Sequence, residues 1–172
     1  LGFAGQKTAI MKYTQPAPVN AIPKPTALAQ YVDRAMTTEQ TVQTITAREI
    51  FDSRDNPTLR VVLSLDEGEG IAKVPSGAST GSREALELRD QDPKYKKGKG
   101  VFRAINNVNQ KLAPAIKGMG LSVSNINTLD DRLLQLDGTE NKSQMGANAI
   151  LGISMAARVA LADAQKTPLY EV

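Results

Sequence analysis

The sequence predicts an α+β fold: a three-stranded antiparallel β-meander followed by about four helices, with an extended Pro-rich arm at the N-terminus. Three observations carry this. Leu59, Val61, Leu63 and Leu65 alternate with Arg60, Ser64 and Asp66, the period of a half-buried strand. Strand-like runs follow one another through short connections, which favours antiparallel pairing. Past residue 80 the apolar spacing becomes helical, and strands first with helices afterwards is an α+β order.

Residues 1–40 stand apart from residues 41–172, the globular unit. Pro16, Pro18, Pro23 and Pro25 are too closely spaced to continue a helix or to sit in a central strand. The segment is expected to be extended or polyproline-like. A short helix over residues 26–36 is the exception, since Leu28, Tyr31, Val32 and Ala35 share a face. The four prolines, with Phe3, Ile10 and Tyr13, make this arm the candidate partner-binding element; a disordered leader is the alternative.

Residues 41–51 are rich in β-branched side chains and read as the first strand. Asp66, Glu67, Gly68, Glu69 and Gly70 read as a hairpin turn, and a third strand follows over residues 71–74. A first helix is expected over residues 84–89. Val101, Ile105, Val108 and Leu112 stripe a second, which Pro114 is expected to disturb. Ile126, Leu129, Leu133 and Leu136 mark a third, with Thr128 and Asp131 spaced as a capping box. The last spans residues 144–166 and is apolar almost all round, its polar exceptions being Asn148, Ser154 and Arg158. Such a helix is normally buried on several sides. One small sheet and three helices leave part of it to be covered by a neighbour.

A length of 172 residues suits one domain with an appended segment. With no Cys there are no disulfides or thiolate metal sites, and with no His the commonest general base and zinc ligand are absent. The formal charge is +3, and no aromatic residues interleave a basic stripe, so no nucleic-acid partner is expected. The run Lys94-Tyr95-Lys96-Lys97-Gly98-Lys99 reads as a solvated loop. No apolar run reaches the roughly 20 residues of a membrane span. The chain opens on Leu1, which reads as a processed N-terminus and points to an organelle, mitochondrion or plastid, with the cytoplasm as the alternative.

Four segments carry a resemblance. They are Phe51-Asp52-Ser53-Arg54-Asp55-Asn56-Pro57-Thr58; Val74-Pro75-Ser76-Gly77-Ala78-Ser79-Thr80-Gly81; Gly98-Lys99-Gly100; and Leu136-Asp137-Gly138-Thr139-Glu140-Asn141-Lys142, continuing through Gly146-Ala147-Asn148-Ala149-Ile150-Leu151-Gly152. In their order and spacing they resemble the N-terminal capping domain of enolase, phosphopyruvate hydratase. Two departures stand out. Asp55 replaces a glycine, and Asp tolerates the left-handed conformation that the turn requires. Arg60 replaces an acidic residue that contributes to the family's dimer contact, so the standard homodimer is not expected. Arg48 and Arg54 keep family-like positions.

The resemblance implies that Ser76, Gly77, Ala78, Ser79 and Thr80 form a lid over the substrate, with Ser79 helping to hold the second Mg²⁺. Read from the residues alone, the same loop is a strand-to-helix connection with a hydroxyl cap. One serine supplies neither the charge nor the octahedral oxygen set that Mg²⁺ requires, so Ser79 is expected to be unoccupied here. The chemistry removes a proton beside a carboxylate and needs metal ions to stabilise the enolate. The resemblance places the lysine base, its acidic partner and the principal metal carboxylates in a barrel beyond Val172. No catalytic residue and no cofactor are therefore expected of these 172 residues alone, and Mg²⁺ only when they are joined to a barrel. The expectation is a non-catalytic, enolase-derived scaffold or accessory subunit that binds other protein subunits of a larger assembly. The alternative is the N-terminal part of an active enolase converting 2-phosphoglycerate to phosphoenolpyruvate.

Overall fold

The computed structural model describes residues 39–76, 81 and 84–172. The arm residues Phe3, Ile10, Tyr13, Pro16, Pro18, Pro23 and Pro25, the helix expected over 26–36, and Gly77, Ala78, Ser79 and Thr80 lie outside the described residues.

The predicted meander is present. β2 (Thr44–Phe51), β3 (Pro57–Ser64) and β4 (Glu69–Lys73) pair antiparallel in the order β2-β3-β4. The register sets Ile45 opposite Leu63, Ala47 opposite Val61 and Val61 opposite Ala72. The alternating apolar residues of β3 thus face one way, and Leu59, Val61 and Leu63 are fully buried. The turn is tighter than expected: the Leu65 N–H donates to the Gly68 carbonyl at 2.7 Å, which leaves Gly70 inside β4.

The first strand is not continuous from residue 41. β1 (Gln40–Thr41) pairs with β5 (Gly120–Leu121) in a separate two-stranded sheet. Val42 turns the chain between the sheets, its N–H donating to the Met119 carbonyl and its carbonyl accepting from Gly118, each at 2.9 Å.

α1 (Phe102–Asn107) runs through a π turn (Val108–Leu112) into α2 (Ala113–Ile116). Pro114 does not end this helical run. It lies just after the π turn, whose widened backbone accommodates a residue that lacks an N–H. α3 (Asn127–Asp137) closes on Gly138, which adopts the left-handed conformation at φ 68°. The expected capping box is absent: the Thr128 hydroxyl donates to the Asn125 carbonyl at 2.7 Å, and the helix begins at Asn127.

The helix expected over residues 84–89 does not form, and the segment has no regular secondary structure there. Its backbone is spent on distant partners. The Leu86 N–H donates to Asn141 and its carbonyl accepts from Ala147, while Asp90 donates to Gly100. Leu88 is held by the Asn148 side chain. Tertiary hydrogen bonds override a helical spacing only a few residues long.

α4 (Ala147–Gln165) crosses the inner face of the sheet. Its approach is set by small residues on both sides. A Cβ on Gly70 would sit 1.9 Å from the Ala156 carbonyl, and one on Gly68 would sit 2.3 Å from that of Ala160. Ala149, Ile153, Ala156, Ala157, Ala160 and Leu161 are fully buried, whereas Leu151 and Met155 remain 42% and 36% exposed. At 19 residues with a mean hydropathy of 1.3, α4 has the length and composition to cross a bilayer, yet it packs as the core helix of this fold. Incomplete coverage of this helix follows the sequence reading.

Candidate functional site

The site is built where three motif segments meet. After Phe51 the chain reverses around Asp52, whose carboxylate Oδ1 accepts the N–H groups of Arg54 and Asn56, each at 2.8 Å. Asp55 takes the left-handed conformation at φ 60°, so aspartate fulfils the role expected of it. The Asn56 N–H, with Arg54 beside it, holds the Asp52 carboxyl below its ordinary range against a smaller opposing effect of desolvation. The basic run closes over this turn as a surface loop. Lys96 Nζ lies 2.7 Å from Asp55 and over the Phe51 ring, and Lys99 Nζ donates to Asn56 at 2.8 Å.

β4 then delivers the chain to Ser76, the described residue of the glycine-serine loop. Ser76 is held from two sides. Its carbonyl accepts from Arg54 at 3.0 Å. Its hydroxyl accepts from Arg89 at 2.9 Å and donates to Glu87 at 3.3 Å. Arg89 is the hub: it also donates to the Pro57 carbonyl at 2.6 Å, the Lys99 carbonyl at 2.7 Å and Glu87 Oε1 at 2.6 Å. Its side chain is largely buried, so this charge-assisted network is sheltered from water and is stronger than a surface pair.

Sequence reasoning missed Glu87 and Arg89. In a helix, residues two apart point to different sides; the non-helical path of this segment brings both side chains to Ser76. The signal lay in the charged pair itself, but the helical assignment hid it.

Chemically, the described residues at Ser76 suit bracing and not metal binding. Glu87 is already matched by a guanidinium, and a second guanidinium lies on the far side of Ser76, a surrounding that disfavours a divalent cation. Among the described residues no group of three or more acidic side chains could hold a metal ion. Ser79, the metal candidate, lies outside the described residues. A shallow groove of about 350 Å³ between β2 and α2, lined by Val42, Ile45, Ala113, Pro114 and Lys117 among others, contains none of the candidate site residues.

The family model "Enolase, N-terminal domain" matches residues 42–172. The chain belongs to the enolase family. It is 53% identical to the Enolase of Methanosarcina mazei over 132 residues, covering 77% of this chain and 30% of that protein. It is 52% identical to the Enolase of Methanosarcina acetivorans over 132 residues, with the same coverage. Against Enolase B of Dictyostelium discoideum it is 53% identical over 129 residues, covering 75% of this chain and 29% of that protein. The chain therefore spans less than a third of the length of the curated relatives it matches. The Asp52 turn, the Ser76 anchor and the Arg89 hub of this enolase-family chain all lie inside the matched region.

Proposed function

We propose that this chain is the capping domain of a phosphopyruvate hydratase and acts with a catalytic barrel in the dehydration of 2-phosphoglycerate to phosphoenolpyruvate. The observation that supports it most is the fixation of Ser76. Arg54, Glu87 and Arg89 hold the near end of the loop that the family resemblance assigns to covering the substrate. Full-length enolases depend on Mg²⁺; the residues described here brace that loop and help keep water from the chemistry it covers. A complementation assay tests this reading. The chain is mixed with the separately produced barrel of the Methanosarcina mazei enolase, and phosphoenolpyruvate formation is followed with Mg²⁺ present. We expect the mixture to exceed the barrel alone by about tenfold or more, the scale on which a positioning group acts. No gain on mixing would overturn the reading.

A second reading, an accessory subunit within a larger protein assembly, is favoured by apolar residues left uncovered. Leu151 and Met155 on α4, with Leu169 and Tyr170 beyond it, are exposed, and Tyr170 is 86% so. Native mass measurement of the complex isolated from its source separates the two readings. An assembly that contains the chain and lacks lyase activity supports the second.

A further inference from the structure

The edge of β2 that faces away from β3 is closed at one point and open beside it. The Asn109 side chain takes both backbone groups of Ala47, its Oδ1 accepting the N–H at 2.8 Å and its Nδ2 donating to the carbonyl at 3.1 Å. In an antiparallel pair, successive residues alternate between bonding the partner strand and facing away from it. Ile45, two positions from Ala47, therefore turns its N–H and carbonyl to the same open side. The groove of about 350 Å³ lies here, with Val42 and Ile45 on the strand side and Ala113, Pro114 and Lys117 on the helical side. Its walls are mainly apolar, and Lys117 is the exposed cation among them.

An open strand edge beside an apolar groove is the arrangement that accepts an added strand: the backbone supplies hydrogen bonds and the groove takes alternate side chains. One segment of this chain matches it. Residues 8–14 contain no proline, unlike residues 16–25, and Ala9, Met11 and Tyr13 alternate with Ile10, Lys12 and Thr14. An added strand would set Met11 and Tyr13 into the groove and leave Lys12 to water. Residues 15–38 tether the segment to Glu39, and Val42 of the groove follows β1 directly. Extended chain spans about 3.3 Å per residue, so this tether reaches the groove with length to spare. Tethering gives an effective concentration on the order of millimolar, so even weak pairing suffices.

We propose that residues 8–14 add to the edge of β2 at Ile45 and seat Met11 and Tyr13 against Val42, Ala113 and Pro114, so that the N-terminal arm covers the open strand edge of its own domain. The β2 strand of a second copy fits the edge less well. Asn109 already fills the edge at Ala47 in each copy and would interrupt continuous pairing of the two strands. The proposal does not rest on the lyase reading, since the groove contains none of the residues around Ser76.

The chain has no cysteine, so Lys12→Cys carries a nitroxide at one defined place. In the isotope-enriched 172-residue chain, the amide signals of Thr44, Ile45 and Ala113 are expected to broaden strongly. Mixing a nitroxide-bearing chain of natural isotope content with an enriched chain that lacks the nitroxide should broaden none of them. Amide exchange gives a second measure. The double variant Met11→Asp with Tyr13→Asp should speed exchange at Ile45 by about tenfold or more, since the strand edge then opens locally. Exchange at Leu59 and Val61, in the fully buried core, should match the parent chain, which separates release of the arm from unfolding. Phe3→Asp, outside the segment, should leave Ile45 unchanged. Absence of broadening in the singly labelled chain, or unaltered Ile45 exchange in the double variant, would overturn the proposal. Broadening in the mixed sample would overturn it equally, by assigning the groove to a second copy.

Discussion

The side-chain amide of Asn148 stands in for a neighbouring strand at Leu88. Its Oδ1 accepts the Leu88 N–H at 3.2 Å and its Nδ2 donates to the Leu88 carbonyl at 3.1 Å. Both residues are buried. Asn148→Ala leaves two buried backbone groups without partners, an expected loss of about 3 kcal/mol. Urea denaturation measures this, and amide exchange at Leu88 should accelerate in parallel. Asn148→Asp keeps the acceptor but turns a carboxylate oxygen against the Leu88 carbonyl, so at neutral pH it should be destabilised at least as much.

That contact also marks what could be read from the sequence and what could not. β3 was legible because Leu59, Val61 and Leu63 repeat at the strand period and lie on the buried face. α3 was legible because Leu129 and Leu133, both fully buried, recur at helical spacing. Residues 84–90 were not, because their hydrogen-bond partners, Asn141, Ala147 and Asn148, lie far along the chain. No local pattern encodes such a pairing. For the candidate site, the glycine-serine loop and Arg54 could be singled out from motif residues. The Arg89 hub could not, since it depends on the non-helical path that those distant contacts impose.

Gly70 tests the close approach of β4 to α4. An added Cβ would meet the Ala156 carbonyl at 1.9 Å and the Ala160 nitrogen at 2.5 Å, both backbone atoms that cannot rotate aside. Gly70→Ala should therefore cost about 3 kcal/mol, the upper range for overpacking. Gly118→Ala is the control: nothing lies within 4 Å of its added Cβ, but φ is 82°. Its cost should be about 1 kcal/mol, from backbone conformation alone. Denaturation of the two variants side by side measures the difference.

Asp137 ties stability to pH. Burial pushes its carboxyl up, but the Thr139 hydroxyl and the Met145 N–H outweigh burial and leave it below the ordinary value of 3.8. The Met145 N–H donates to Oδ2 at 2.6 Å, while the Thr139 hydroxyl donates to Oδ1. A carboxylate lowered on folding contributes stability that is fully present above its unfolded value and is lost as pH falls through the folded one. Unfolding free energy should thus be flat near neutrality and decline below about pH 4, where the unfolded chain takes up the proton first. Asp137→Asn should lower stability at pH 7 and flatten part of that acid decline. Urea titrations at pH 7 and pH 3 check both.

Arg89 serves acceptors on Pro57, Ser76, Glu87 and Lys99. A lysine ammonium is a compact point charge and cannot reproduce a planar fork spread over four residues. Arg89→Lys should keep the Glu87 pair and lose about 1–2 kcal/mol, whereas Arg89→Ala strands Glu87 and should lose about 3 kcal/mol. Denaturation gives the stability change. In the complementation assay, Arg89→Lys should lower turnover more than its stability loss explains, because the Ser76 hydroxyl then loses the guanidinium and keeps only Glu87.

Asn109 guards the open edge of β2. Its Oδ1 accepts the Ala47 N–H at 2.8 Å and its Nδ2 donates to the Ala47 carbonyl at 3.1 Å. β2 is paired on one side alone within its sheet, so these backbone groups would otherwise be available to another strand. Asn109→Ala should cost about 1–2 kcal/mol, because two part-buried backbone groups of Ala47 lose their partner. The larger effect should be on association, since the freed edge can pair with the same edge of a second molecule. Size-exclusion chromatography with light scattering over a concentration series should show the variant self-associating more readily than the parent chain. An association profile that matches the parent's, alongside the expected stability loss, would mean that Asn109 stabilises the strand without protecting it.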